Sequence, residues 1–286
     1  YYFYSFKNKI YHKNAFISGN YSIFFDTKNI KNKIYYCHSL PKIFFDNKNF
    51  YKYNLIFKIF ISLIGFIFKP FYFYNLRKFD KIVVNSKYTK NKLSKYDLKK
   101  IKVIYPPIKN FYSNKFSKKK FFLSNARHEI DKNIDKIIIA FNKMPDFELI
   151  ITSSGSQTNS LKKLVLKNYS KIHFFGNVSE NKYKRLLNEC VATINLGSNE
   201  DFGMSAIEGM SCGKPAFVIN QGGYKETCKN NYNCVFINKY KIEEDLIYKI
   251  KNTASKDLLN MKKNCIKTSK KFSQQIFNRK INELLI

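Results

Sequence analysis

VATINLGSNEDFGMSAIEGMSCGKPAFVINQGG, residues 191–223, is the stretch from which the rest of the chain can be read. A short apolar run, VATIN (191–195), leads through Glu200-Asp201-Phe202-Gly203 into a helix-length segment, 204–212, and then into a second apolar run, PAFVI (215–219). Strand, helix, strand at this spacing is the repeating unit of a parallel sheet. Gly203 at the helix start leaves backbone N–H groups facing outward, where the helix dipole favours an anion. A carboxylate repels phosphate but accepts paired hydrogen bonds from sugar hydroxyls. Glu200 before the helix and Glu208 within it therefore suit a ligand with hydroxyls on both sides of a diphosphate, the description of a nucleotide sugar. The alternative is a solvated loop for Glu200 and Asp201 and a water-facing Glu208. For Glu208 it is disfavoured by Ile207, Gly209 and Met210, which belong on a buried helix.

Outward from this stretch, the second half of the chain alternates regularly. Apolar runs FFLS (121–124), FELIIT (147–152), IHFF (172–175), VATIN, PAFVI and CVFI (234–237) read as buried strands. Between them lie segments with apolar spacing near 3.6, at 133–143, 158–168, 180–189, 204–212 and 222–229. This predicts an α/β fold, a parallel sheet with helices on both faces, binding ligands at the carboxyl ends of its strands. Of the ten glycines only Gly19 and Gly65 precede residue 120, so close backbone approach to a ligand belongs to the second half.

The first half is less regular. Strands are expected at 34–38, 81–85 and 102–106, with a helix from Ser86, a good N-cap, to about Tyr96. PPIKNFYSNKFSKKK (106–120) has Pro and Lys without periodicity and is taken as the linker. The expected division is 1–112, 113–270 and a C-terminal helix, 271–286, with a crossing back to the first domain as one option for it. NLIFKIFISLIGFIFK (54–69), ended by Pro70, is expected to be either a buried core helix or an interfacial one; its uninterrupted run from Ile59 to Phe68 is short for a membrane span.

With 52 Lys+Arg against 20 Asp+Glu the formal charge is +32. Only Arg77, Arg127, Arg185 and Arg279 are arginine, the residue best fitted to bidentate phosphate and guanine contacts, and the lysines are diffuse. That argues against nucleic acid and leaves an anionic membrane surface as a partner for the basic chain. The six cysteines have neither C-x-x-C spacing nor His partners and read as buried thiols. The N-terminus YYFYSFKNKI has neither the pattern of a signal peptide nor an initiator Met, and a fragment is expected.

SNEDFGMSAIEGMSCGKPAFVINQGG resembles the E-x7-E motif of retaining glycosyltransferases of family 4, with Glu200 and Glu208 at the two motif positions, followed by G-K-P and Gly222-Gly223. The resemblance implies the GT-B fold, two Rossmann-like domains facing a cleft. It implies that Glu208 binds the ribose hydroxyls and Glu200 the transferred hexose, with the backbone of Phe202, Gly203 and Met204 meeting the sugar and diphosphate; Val178 is counted with the donor-binding positions. FFLSNARHEIDKNIDKIIIAF (121–141) resembles the family's strand–loop–helix with an Arg and a Lys, here Arg127 and Lys132, the two cations a departing diphosphate requires. His128 between them is taken as a bystander. IYYCHSLPKIFFD (34–46), KIVVNSKYTKNKL (81–93) and KVIYPPI (102–108) resemble the first domain of the subgroup using GDP-mannose or related donors for surface polysaccharides. There His38 would touch the donor hexose or the acceptor, the alternative being a satisfied strand-end histidine. Leu40 and Lys42 stand where that subgroup commonly has Pro and Arg, and nothing corresponds to its opening strand and Gly-rich turn, so the first domain is expected to be incomplete.

The resemblance implies a retaining hexosyltransferase, and the lack of a D-x-D pair fits a metal-independent one. Its co-substrate would be GDP-mannose or a UDP-sugar, with no other cofactor, and its acceptor a glycan or a lipid-linked one. The expected location is cytoplasmic, peripheral to the inner face of the membrane. A sugar-nucleotide epimerase, an inactive nucleotide-sugar-binding remnant and a nucleic-acid-binding protein are the competing classes.

Overall fold

The computed structural model describes residues 14–25, 30–45, 54–96, 98, 101–113, 119–166 and 169–285. Readings placed on the N-terminal ten residues, Asp46, 50–53, 97, 99–100, 114–118, 167–168 and Ile286 lie outside the described residues. The chain divides into two units, one running to Pro106 and resuming at Phe277, the other Pro107–Ile276.

The first unit holds a parallel sheet in the order β1 (Asn14–Ser18), β2 (Asn32–Cys37), β3 (Lys81–Val84), β4 (Ile101–Val103). Its helices are α1 (Lys42–Phe45), α2 (Leu55–Leu76) and α3 (Lys87–Leu93), the last capped by Ser86, whose Oγ accepts from the Thr89 N–H at 2.9 Å. β2 is apolar from Ile34 to Cys37 because both its faces are covered there. Tyr35 and Cys37 pack with Tyr72, Phe73 and Leu76 of α2, while Ile34 and Tyr36 pack with Val83, Ile104 and the C-terminal helix Gln274–Leu285. β1 was not anticipated: NAFIS is too short and mixed to show periodicity, and it is defined by pairing with β2 from Asn14↔Asn32 to Ser18↔Tyr36.

The second unit alternates strand and helix: β5 (Phe121–Ser124), α4 (Ile134–Asn142), β6 (Glu148–Thr152), α5 (Thr158–Lys163), β7 (Lys171–Gly176), α6 (Glu180–Glu189), β8 (Ala192–Asn195), α7 (Met204–Ser211), β9 (Ala216–Ile219), α8 (Tyr224–Thr227) and β10 (Cys234–Ile237). Helices α9 (Ile242–Asn252), α10 (Ser255–Asn260) and α11 (Lys262–Ser269) follow. All its strands are parallel, in the order β10-β9-β8-β5-β6-β7. From β5 the chain proceeds to one side through β6 and β7, then returns to β8 on the other side. The loops after β5 and β8 therefore diverge at the carboxyl edge, which is where a doubly wound sheet opens a crevice.

Two expectations are corrected. The boundaries fall at Pro106/Pro107 and Ile276/Phe277 rather than after residues 112 and 270. The Ile108 N–H donates to Phe272 O at 2.7 Å and Phe111 is buried against Tyr183, so 107–112 is tied into the second unit despite its lack of periodicity. The core-helix alternative for 54–69 is also overturned. One helix runs from Leu55 through Pro70 to Leu76, and Ile56, Phe66 and Ile67 are 78%, 82% and 74% exposed. By length and composition alone α2 could cross a membrane. The six cysteines are all buried and form no disulfide among the described residues; burial pushes the Cys190 thiol up to about 12 and Cys212 to about 11.

Candidate active site

The loops after β5 and β8 are stitched together. Asn133, in the left-handed region at φ 53°, ends a short 3-10 turn over Ile130–Lys132 and begins α4. Its amide donates to Leu196 O at 2.7 Å and to Ser198 Oγ at 2.9 Å, and the Ser198 N–H donates to Asp131 O at 2.7 Å. This brings Lys132 to Glu200: Lys132 Nζ donates to Glu200 Oε2 at 2.6 Å, with Asp131 Oδ2 at 3.7 Å. The two side chains are 13% and 23% exposed, so the pair is partly shielded from water and keeps more of its attraction than a surface pair would.

Glycine makes the room for this pairing. A Cβ on Gly197 would stand 3.0 Å from Glu200 Oε2 and 3.4 Å from Lys132 Cδ. Gly222, at φ +62°, and Gly223 lie against the backbone of the Glu200–Phe202 turn, whose Glu200 carbonyl accepts from the Gly223 N–H at 2.8 Å. A Cβ at Gly223 would meet Asp201 O at 2.3 Å. The Gly-Gly pair after β9 is thus the clamp on the turn that carries Glu200. Tyr224 follows it, buried, beside Gly203 and Gly197.

Gly203, at φ +87°, begins α7, and the first amides of that helix point out of it unpaired within the helix, as any helix start requires. Met204 is exposed, whereas the Phe202 ring is buried edge-on against Phe272 at 5.3 Å, so only the Phe202 backbone is available to a ligand. Glu208, one turn into α7, is half-buried. Its Oε2 accepts from Tyr183 Oη of α6 at 2.7 Å, and Asn125 Nδ2, at the end of β5, donates to Tyr183 Oη. Burial holds the Glu208 carboxyl above the usual carboxylate range, and the Tyr183 hydrogen bond opposes that shift. Tyr183 escapes notice in sequence because α6 is defined there only by its apolar spacing; the hydroxyl becomes visible once α6 and α7 are neighbours. Val178, on the β7–α6 connection, packs beside Tyr183 against the cluster of Phe111 and Leu186.

Arg127 is exposed, and among the described residues its guanidinium forms no ion pair or hydrogen bond. The structure therefore joins Lys132 to Glu200 but leaves Arg127 as a separate cation on the same loop. His128, taken as a bystander to the chemistry, has a structural place. It is fully buried, Nε2 donating to Thr152 O at 3.2 Å and Nδ1 facing Thr158 Oγ1 at 2.9 Å. Since the carbonyl can only accept, the proton sits on Nε2. With the His128 N–H donating to Ser154 O at 3.1 Å, this residue fastens the Arg127–Lys132 loop to the loop after β6. Gly155 permits that closeness: a Cβ there would be 2.6 Å from His128 O. In the first unit, His38 follows β2, exposed, its ring edge-on to Tyr36 at 4.7 Å and its carbonyl accepting from Asn85 Nδ2 at 2.6 Å. Its ring nitrogens have no hydrogen-bond partner among the described residues.

Residues 108–272 match the family model described as Glycosyl transferases group 1. An uncharacterized glycosyltransferase of Methanocaldococcus jannaschii is 28% identical over 207 residues, covering 71% of this chain and 58% of the relative. The alpha-1,3/1,6-mannosyltransferase of Dictyostelium discoideum is 30% identical over 207 residues, covering 54% of this chain and 49% of the relative. The chain spans about half the length of these curated relatives. Among solved structures, S. aureus TarM superposes with a TM-score of 0.71 at 18% identity, covering 94% of this chain and 54% of that one. Anabaena HepE in complex with UDP-glucose gives 0.71 at 18% identity, covering 88% and 71%. At these identities the structural likeness is one of fold: α/β, GT-B, with Rossmann-like domains.

Proposed function

The chain belongs to the group 1 glycosyl transferases, and on that premise we propose that it moves a mannose-like hexose from a nucleotide diphosphate sugar to a hydroxyl of a glycan or lipid-linked acceptor, with retention of configuration. The Lys132–Glu200 pair at the strand-order reversal of the second sheet carries this reading. It sets a cation and a hydroxyl-accepting carboxylate side by side at the start of α7, with Glu208 one turn along. Glu200 accepts from hexose hydroxyls and Glu208 from the ribose. Lys132, Arg127 and the amides of Gly203 and Met204 meet the charge that grows on the leaving diphosphate, so that stabilisation is larger in the transition state than in the ground state.

In the transfer, the acceptor oxygen bonds to the anomeric carbon as the bond from that carbon to the phosphate oxygen breaks. The acceptor proton passes to the leaving diphosphate, since among the described residues of the second unit no side chain is placed as a dedicated base, and no metal is required. His38 is proposed to contact the hexose or the acceptor. The mannosyltransferase relative supports mannose as the hexose, with GDP-mannose as the proposed donor, and HepE with UDP-glucose keeps a UDP-sugar as the other. The diffuse charge of +32 supports a cytoplasmic location at an anionic membrane face rather than nucleic acid.

Calorimetric titration of GDP-mannose, UDP-N-acetylglucosamine and the free diphosphates into the protein and its Glu208→Ala variant tests the site. Micromolar binding of one donor, lost in the variant, is expected. Donor binding without turnover would identify an inactive remnant, and no binding would overturn the reading. An inverted anomeric configuration in the product would overturn retention.

A further inference from the structure

We infer that α2 is an in-plane membrane anchor, inserted among the acyl chains of an anionic bilayer along the face turned away from its own unit. The 22-residue helix is about 33 Å long at 1.5 Å per residue. It is fixed to the first unit through Ile61, Gly65 and Tyr72, which are buried, with Phe68 stacked on Phe44 at 4.4 Å, and at its C-terminal end also through Phe73, Asn75 and Leu76. Successive residues turn by about 100°, so Ile61, Gly65, Phe68 and Tyr72 fall within one narrow sector of the helix, the seam. Ile59, Phe60, Leu63, Phe66 and Ile67 fall in the opposite sector and are 53%, 55%, 64%, 82% and 74% exposed. Soluble surfaces seldom leave so continuous an apolar strip in water. Because α2 is packed on its own unit at Ile61 and Gly65 and again at Tyr72, Phe73 and Leu76, the helix lies on a bilayer rather than across it.

Charge decides the occupant. Lys58 and Lys69 share one flank of α2, between seam and apolar strip, at the level where lipid headgroups would lie. A second copy docked through α2 would bring together two chains of charge +32, whereas a phosphate-bearing surface attracts that charge. Attachment by charge alone is reversed by salt; insertion of α2 is not. This inference rests on α2 and not on the donor site, so either can fail alone.

The chain contains no tryptophan, so Phe66→Trp introduces a single reporter. The test sediments the protein with vesicles of phosphatidylcholine and phosphatidylglycerol at low salt and at about 0.5 M salt. Binding is expected to persist at high salt, the Phe66→Trp emission to shift blue, and brominated lipid to quench it. The triple variant Leu63→Glu/Phe66→Glu/Ile67→Glu, altered only at exposed positions, is expected to lose at least about tenfold in vesicle partitioning while keeping its melting temperature and its donor binding. Partitioning unchanged in the triple variant, complete release of the parent protein by salt, or an unquenched tryptophan would each overturn the anchor. So would a shift from dimer to monomer in the triple variant without a change in vesicle binding, which would assign the strip to a second copy.

Discussion

Tyr183 donates its phenolic hydrogen to Glu208 Oε2 at 2.7 Å and so fixes the carboxylate of α7 from the neighbouring helix α6. In the proposed reaction that carboxylate accepts both ribose hydroxyls, and a carboxylate free to rotate would first have to be ordered. Tyr183→Phe is expected to weaken binding of the nucleoside diphosphate by about tenfold, the worth of a hydrogen bond to a charged group. A 2′-deoxy analogue should lose much less, so its ratio to the ribonucleotide is the deciding measurement.

The same pair sets a pH limit. Burial raises the Glu208 pKa and the Tyr183 hydrogen bond lowers it. Donor binding should therefore fail, as pH decreases, above the ordinary carboxylate range. Removing the hydroxyl removes the opposing effect, so in Tyr183→Phe the acid limb of the binding profile is expected to move to higher pH. An unmoved limb would deny Tyr183 its positioning role.

Lys132 and Glu200 act as one unit in this geometry, 2.6 Å apart. Lys132→Ala is expected to reduce kcat by about a hundredfold or more, the usual loss when one preorganised charge is removed from an anion site. Glu200→Ala should be similarly severe. Steady-state kinetics on both and on the double variant should give a combined loss well short of the product of the two.

Gly209 of α7 lies over Thr193 of β8, where a Cβ would be 2.7 Å from Thr193 Cγ2. Gly209→Ala is expected to cost about 1–3 kcal/mol of stability through overpacking. Because the obstructing atoms are side chain, Thr193→Ala in the same molecule should recover part of it; chemical denaturation of the single and double variants measures this.

His128 is buried neutral, its pKa lowered from 6.5 chiefly by burial. The unfolded chain therefore binds a proton first as pH falls, and the folded state loses stability from about pH 6.5 downward until the lowered folded value is passed. His128→Asn should be less stable near neutrality, having lost the bonds to Thr152 and Thr158. Its stability should also fall less steeply between neutrality and mild acid in denaturant titrations.

Much of the second unit was legible in the sequence. FFLS and CVFI coincide with β5 and β10, 180–189 with α6, and the other strands differ by a residue at one end or, for β7, at both. Strands buried on both faces leave an unmistakable apolar signature, and Glu200, Gly203 and Glu208 sit where a strand–turn–helix places them. The C-terminal helix expected at 271–286 is present as Gln274–Leu285, whereas β1, α9, α10 and α11 were not seen, because short or weakly patterned segments are defined by what they pair with.

The sequence by itself determined the strand–helix alternation and the carboxylates and cations of the site, because local periodicity and residue chemistry are properties of the chain alone. Only the tertiary structure decided the strand order that brings Lys132 to Glu200, the Gly222-Gly223 clamp on the turn, and Tyr183 as the partner of Glu208. It also showed that α2 keeps its apolar strip outside and that His128 fastens the Arg127–Lys132 loop to the loop after β6. The physical reason is the same in each case. Burial and hydrogen-bond partnership arise between segments far apart along the chain, and no pattern within one segment records them.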